Sequence, residues 1–103
     1  MTNEETGRCS PDTLKLVADY WVLRIVEELN AAGSLRFSAL QRALGGASPA
    51  TLSQRLKALE DADLVARSEG DAAKASVSYS LSERGLRVLP VIRAINEVAV
   101  DLG

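Results

Sequence analysis

Residues 38–60 read SALQRALGGASPATLSQRLKALE, and two short helices joined by a few residues are written in them. Ser38 is placed to cap the first, Leu40 and Leu44 lie one turn apart along it, and Gly45-Gly46 stops it. Ser48-Pro49 opens the second, a capping hydroxyl followed by a residue whose missing N–H is no loss at a helix start. Leu52, Leu56 and Leu59 mark its buried stripe. On a wheel centred on that stripe, Ala50, Gln54 and Lys57 face away from the core. Thr51 and Ser53 lie on the flanks, and Arg55 sits near the buried edge. The connection is too short for a long antiparallel hairpin and suits a helix-turn-helix.

Upstream, residues 1–9 are polar and expected to form a flexible tail. Ser10-Pro11 repeats the cap-plus-proline signal, Asp12 suits a helix N-terminus, and Leu14 and Val17 begin an apolar stripe. Trp21, Val22, Ile25, Val26 and Leu29 continue at helical spacing to Gly33, as one helix over 11–32 or as two with a break near Asp19. Downstream of Asp63 the period changes. Leu64–Arg67 is strand-like, Gly70-Asp71 is a turn, and Val77, Tyr79 and Leu81 alternate with Ser76, Ser78 and Ser80. That pattern predicts a two-stranded hairpin with one buried face, which must pack on the helices. Ser82 then caps a last helix with the stripe Leu86, Leu89, Ile92, Ile95, Ala99 and Leu102, which Pro90 should bend or break. The stripe is broad for a domain of this size. Leu14, Val17, Leu89, Ile92, Ile95 and Ala99 are the candidate contacts with a second subunit, membership of the monomer core being the alternative.

Composition bounds the function. The 103 residues suffice for a single domain spanning the chain. Hydrophobic residues at 47% and charged residues at 25% fit a globular protein, not a disordered one. Histidine is absent and Cys9 is the single cysteine, which excludes an internal disulfide framework, a zinc finger and His-dependent catalysis. No nucleophile–base pair and no phosphate-binding glycine loop can be assembled, so neither an enzyme nor a bound cofactor or metal is expected. No apolar run approaches the ~20 residues of a membrane span, which makes the cytoplasm the expected compartment.

The net charge is −2, against a globally basic nucleic-acid binder, but it is unevenly spread. From Ser34 to Leu59 stand Arg36, Arg42, Arg55 and Lys57 with no acid, a local charge of +4. Residues 60–71 hold five acids against Arg67. The bland account of the basic block is a solvated helix surface that happens to lack acids. The sharper one is a surface kept free of anions because it approaches a polyanion.

Helices, then a hairpin, then a helix, with a helix-turn-helix before the hairpin, is the order of a mainly α (α+β) winged helix-turn-helix. A helix fits the major groove of DNA, with its N-terminal residues near base edges. Ala50 and Thr51 allow close approach, Ser53 can hydrogen-bond, and Gln54 can pair with adenine N6 and N7. Arg55 is placed either for guanine or phosphate or for a structural contact, and Lys57 for a phosphate. The amides after Ser48 offer an anion site at the helix start, and Arg36 and Arg42 can hold the flanking backbone. Lys74 is the candidate contact of the wing.

From Cys9 to Leu102 the sequence resembles the HxlR-type winged-helix transcriptional regulators of bacteria and archaea. The resemblance is carried by Cys9 near Pro11, Trp21 with Ile25 and Leu29, and Arg36-Phe37 with Leu40. It continues through Leu52–Glu60, Leu64-Val65 with Arg67, Val77–Ser82 with Gly85, and Leu89–Val91. Where the family commonly carries a glycine before its Lys-Trp pair, Asp19 and Tyr20 stand here. The resemblance implies a homodimer joined through its first and last helices, binding a pseudo-palindromic double-stranded DNA operator, usually as a repressor and sometimes as an activator. It also implies an effector, either a small molecule or an oxidant sensed through Cys9, whose neighbour Arg8 favours the thiolate. The rival reading is a winged helix used as a protein-interaction module, which would have no need of the carboxylate-free 34–59 segment.

Overall fold

Asp19 decides where the first long helix starts. Its carboxylate accepts the Trp21 and Val22 amides at 3.0 and 3.1 Å, capping α1 (Tyr20–Ala32). The stretch 11–32 is therefore not one helix: residues 15–17 are helical, the chain turns at Ala18, and α1 begins afresh. The computed structural model describes residues 15–69 and 77–103. Cys9, Leu14, Lys74, the 1–9 tail, the Ser10-Pro11 cap and the Gly70-Asp71 turn lie outside the described residues.

After α1, which Gly33 closes at φ 85°, come β1 (Leu35–Arg36), α2 (Phe37–Leu44) and α3 (Pro49–Asp61). They are followed by β2 (Val65–Glu69), β3 (Val77–Leu81), α4 (Glu83–Leu86) and α5 (Leu89–Leu102). The sheet has three strands in the order β1-β3-β2, all antiparallel, where the sequence predicted two. The extra strand is two residues long: Leu35 pairs with Tyr79 and Arg36 with Ser78. That pairing also sets the entry to α2. The extended Arg36 takes the N-cap position without a side-chain cap, and Ser38, the expected cap, lies inside the first turn. Leu64, expected in the first wing strand, precedes β2, beyond Asp63 at φ 64°.

The core is one cluster. Val22, Ile25, Val26 and Leu29 of α1 meet Leu40 and Leu44 of α2, and Leu52, Leu56 and Leu59 of α3 close over them. Leu64, Val65 and Tyr79 bring the sheet side, and Leu89 and Ile92 bring α5. Leu89 and Ile92 are 8% and 0% exposed within one protomer, because the first turn of α5 lies against the core, which is the monomer-core alternative that the stripe left open. Asn96 of α5 also donates to the Glu27 carboxylate of α1. Ile95 is half-buried and Ala99 exposed, and with Pro90, Val91, Ala94, Val98 and Leu102 they line an open apolar groove on the outer side of α5. Pro90 marks a break rather than a bend: the chain leaves α4 at Leu86, turns, and restarts with proline in the first turn of α5.

The junction before α4 is held by backbone. Ser82 accepts the Gly85 amide at 2.9 Å, donates its hydroxyl to the Asp63 carbonyl at 2.7 Å, and its amide meets the Leu64 carbonyl at 3.0 Å. This brings Gly85 so close to β2's entry that a β-carbon there would sit 2.1 Å from the Leu64 carbonyl oxygen. Alanine usually improves a helix position by about 1 kcal/mol over glycine. Here the sign reverses, because the obstruction is backbone and cannot rotate away. Gly85→Ala is expected to lower stability by about 1–3 kcal/mol, read as a lower urea midpoint at unchanged slope.

Candidate nucleic-acid interface

The two sides of α3 have opposite fates. Leu52, Leu56 and Leu59 are fully buried, while Pro49, Ala50, Ser53, Gln54 and Lys57 are exposed and Thr51 is half-exposed. The exposed side carries amide, hydroxyl, methyl and ammonium groups and no carboxylate until the last turn, at Glu60 and Asp61. Lys57 lies 3.5 Å from Asp61 one turn on, both largely exposed, a pairing that solvent makes weak. Arg36, at the end of β1, and Arg42, in the last turn of α2, are exposed and pair with no carboxylate among the described residues.

The start of α3 is less open to anions than its sequence suggests. Ser48 Oγ accepts the Thr51 amide at 3.1 Å and donates to the Thr51 hydroxyl at 3.0 Å. The Leu52 amide already meets the Ser48 carbonyl at 2.9 Å, and Pro49 has no N–H. Among the described residues this leaves the Ala50 amide as the one first-turn donor without a partner, so the cap that forms the helix consumes most of the expected anion site.

Arg55 does not face outward. Its Nε and Nη2 reach the two carboxylate oxygens of Asp19, each at 3.1 Å, in a two-pronged ion pair whose side chains are 30% and 26% exposed. Geometry near the core edge therefore turns it to structure, the second of the two roles its position allowed. Its remaining Nη1 donates to Gln54 Oε1 at 3.0 Å. Asp19 is thus shared between the start of α1 and the middle of α3. Burial pushes its carboxyl up, but the hydrogen bonds from Arg55, Val22 and Trp21 and the guanidinium charge outweigh this and hold it below the usual carboxylate value. The sequence marks Asp19 as a break and as a departure from the family's usual glycine, and the signal of its capping role is an acid standing directly before a helix start.

One further tie joins the helices beneath α3. Arg24 of α1 bridges Tyr20 at 3.3 Å, Glu28 at 3.5 Å and the Ala43 carbonyl of α2 at 3.4 Å, which seats α2 on α1. In the wing, Arg67 pairs with Glu69 along β2 at 2.8 Å. Val17, an expected interface residue, is half-buried and lines a small pocket with Ala62, Leu64, Arg84, Arg87 and Val88. Among the described residues no group of His, Cys, Asp and Glu has the spacing of a metal site, and no helix is long and apolar enough to cross a membrane.

Residues 16–102 match the family described as HxlR-like helix-turn-helix. An HTH-type transcriptional regulator of Bacillus subtilis, YdzF, is 38% identical over 80 residues, covering 78% of this chain and 73% of that protein. The transcriptional regulator ytfH of Salmonella typhimurium superposes with a TM-score of 0.78 at 33% identity, over 88% of this chain and 81% of that one. The reduced form of the regulator YodB from B. subtilis does so with a TM-score of 0.76 at 25% identity, over 89% and 92% of the two chains. The chain belongs to the HxlR-like family of winged helix-turn-helix transcriptional regulators.

Proposed function

We propose that the protein is a cytoplasmic repressor that binds a pseudo-palindromic operator in double-stranded DNA as a homodimer. The outer face of α3, without a carboxylate before its last turn, together with Arg36 and Arg42, which pair with no carboxylate among the described residues, is the observation that carries this reading. In it, α3 enters the major groove with Ala50, Thr51, Ser53 and Gln54 towards base edges. Arg36, Arg42, Lys57 and the Ala50 amide beside Ser48 hold phosphates, Arg55 acts from behind the interface, and Lys74 of the wing reaches the neighbouring backbone. Half-sites then lie about one helical turn, roughly 10 base pairs, or a multiple of it apart. Retention on duplex DNA is expected to fall steeply with salt, because each phosphate contact releases counterions. Arg36→Ala should lower affinity for all sequences alike and reduce the salt slope by about one, whereas Gln54→Ala should alter base preference. Absence of retention at low salt would favour a protein-interaction module instead.

The dimer reading rests on the outer groove of α5. Val98 and Leu102 are 55% and 83% exposed on a side that carries no charge from Pro90 to Leu102, which is unfavourable to leave in water. Ile95 and Ala99 lie at the centre of this proposed contact, and Val17, which lines a separate pocket, and by sequence Leu14 are its candidate contributors from the N-terminal side. Val98→Glu places a charge where a monomer tolerates it and a dimer does not. Sedimentation should show monomer, with an unchanged melting profile for the individual domain and weakened binding to paired half-sites.

Cys9 is proposed as a redox input. Support comes from its neighbour Arg8 and from the neighbour YodB, whose structure is of a reduced form. Oxidation would join two Cys9 thiols across the dimer, with two protons and two electrons passing to the oxidant, or join Cys9 to a small thiol. Mild oxidation should change operator affinity in the wild type and leave Cys9→Ser unaffected; equal behaviour of the two would remove the idea.

A further inference from the structure

The side chain on the exposed face of α3 with the greatest capacity to read a base is not free to choose its hydrogen bonds. Gln54 Oε1 lies 3.0 Å from Arg55 Nη1. A guanidinium has donors only, so the amide atom turned towards it must be the oxygen, and the Nε2 hydrogens are left facing outward. Arg55 is itself held at both its other nitrogens by Asp19, at 3.1 Å each, so it cannot swing away from Gln54 without breaking a two-pronged ion pair. Asp19 in turn is fixed by the Trp21 and Val22 amides it caps. A chain of charge-assisted bonds runs from the start of α1 to the reading face of α3.

We infer that Asp19, acting through Arg55, presents Gln54 to DNA as a hydrogen-bond donor, so that Gln54 selects guanine rather than adenine. This rests on the reading of α3 as the major-groove helix. A free glutamine matches adenine by donating to N7 and accepting from N6. Here Arg55 holds Oε1 and takes one of its two lone pairs, which disfavours accepting from adenine N6, and the Nε2 donors meet their best complement in guanine, whose N7 and O6 are both acceptors. Cytosine offers a donor at N4, which would have to share Oε1 with Arg55. Asp19 and Arg55 are positioning residues in this scheme: neither touches the base, and their effect is on which base is chosen.

The test selects binding sites from randomised duplex DNA with the full chain as wild type, Gln54→Ala, Asp19→Asn and Arg55→Met. Asparagine keeps Oδ1, which caps the helix and accepts from Arg55 Nε, but sets an NH2 group against Arg55 Nη2 in place of Oδ2, which removes the charge and one prong of the clamp while preserving the helix start. The position whose preference Gln54→Ala abolishes identifies the contacted base. There the wild type should favour guanine over adenine by about tenfold or more, and both clamp variants should shift the ratio towards adenine at that position alone, with the wild-type salt slope. A structural role for the ion pair would change stability and not base choice, and thermal melts of the same samples separate the two. If Asp19→Asn fails to fold, Arg55→Met gives the same reading from the other side of the clamp. Wild-type preference for adenine, unchanged preference in the folded clamp variants, or no position that responds to Gln54→Ala each overturns the inference. Those outcomes leave salt-dependent DNA binding intact. Loss of salt-dependent binding by the wild type itself overturns the DNA reading, and the inference with it.

Discussion

Leu52, Leu56 and Leu59 hold α3 in the core by one side only, and the rest of the molecule is arranged around that constraint. Each fully buried leucine contributes about 1.5–3 kcal/mol relative to exposure, a large share of the net stability of about 5–15 kcal/mol typical of a domain. That burial requires a floor, which α1 supplies through Ile25, Val26 and Leu29, and a wall, which Leu64 and Val65 supply where the chain enters the sheet. Its consequence is that the opposite side must remain bare. A helix buried on both sides would be a core helix with nothing to present. A bare side on a helix held this firmly is a rigid surface, and rigidity is what a set of directional hydrogen bonds to base edges requires.

Apolar packing sets the depth of α3, but it leaves rotation about the axis of the helix loosely defined, since leucines tolerate small shifts. The Asp19–Arg55 pair acts on that freedom. It grips α3 at the boundary between its buried and exposed sides, at two distances of 3.1 Å, and ties it to the end of another helix. An exposed ion pair contributes little to stability, and this one is only partly shielded. Its contribution is better described as directional: two parallel hydrogen bonds to a carboxylate define an orientation that a single contact would not.

The parts of this structure legible in the sequence are those whose signal is local. The stripe of Leu52, Leu56 and Leu59, the Ser48 and Ser82 caps, the alternation at Val77, Tyr79 and Leu81 and the helix break at Pro90 all lie within a few residues of their own cause. What was misread depends on partners far along the chain. β1 is two residues long and has no period of its own; it exists because β3 lies beside it. The same pairing moves the start of α2 ahead of Ser38, overriding a good local cap. Arg55 was ambiguous from its place on the helical wheel, and its partner stands 36 residues earlier, at a position readable as a break. Periodicity likewise found the stripe on α5 but could not divide it. Leu89 and Ile92 are covered by the protomer's own core while Val98 and Leu102 are not, a division that depends on tertiary packing and not on spacing along the helix.

The charge distribution is consistent with this division of labour. The net charge of −2 repels a polyanion at long range, yet Ser34–Leu59 carries +4 with no acid. The two are compatible because salt screens interactions beyond about 8–10 Å, so the average matters for distant encounter and the local face for contact. Within that face the charges have separate duties. In the proposed reading Arg36, Arg42 and Lys57, exposed and at most loosely paired among the described residues, are the phosphate contacts, whereas Arg55, paired with Asp19, is not one of them. Acids immediately beyond the face, at Glu60, Asp61 and Asp63, penalise any docking that tilts the end of α3 towards the backbone. An acidic protein is in this way compatible with a basic reading head, and its acids narrow the orientations in which that head can meet DNA.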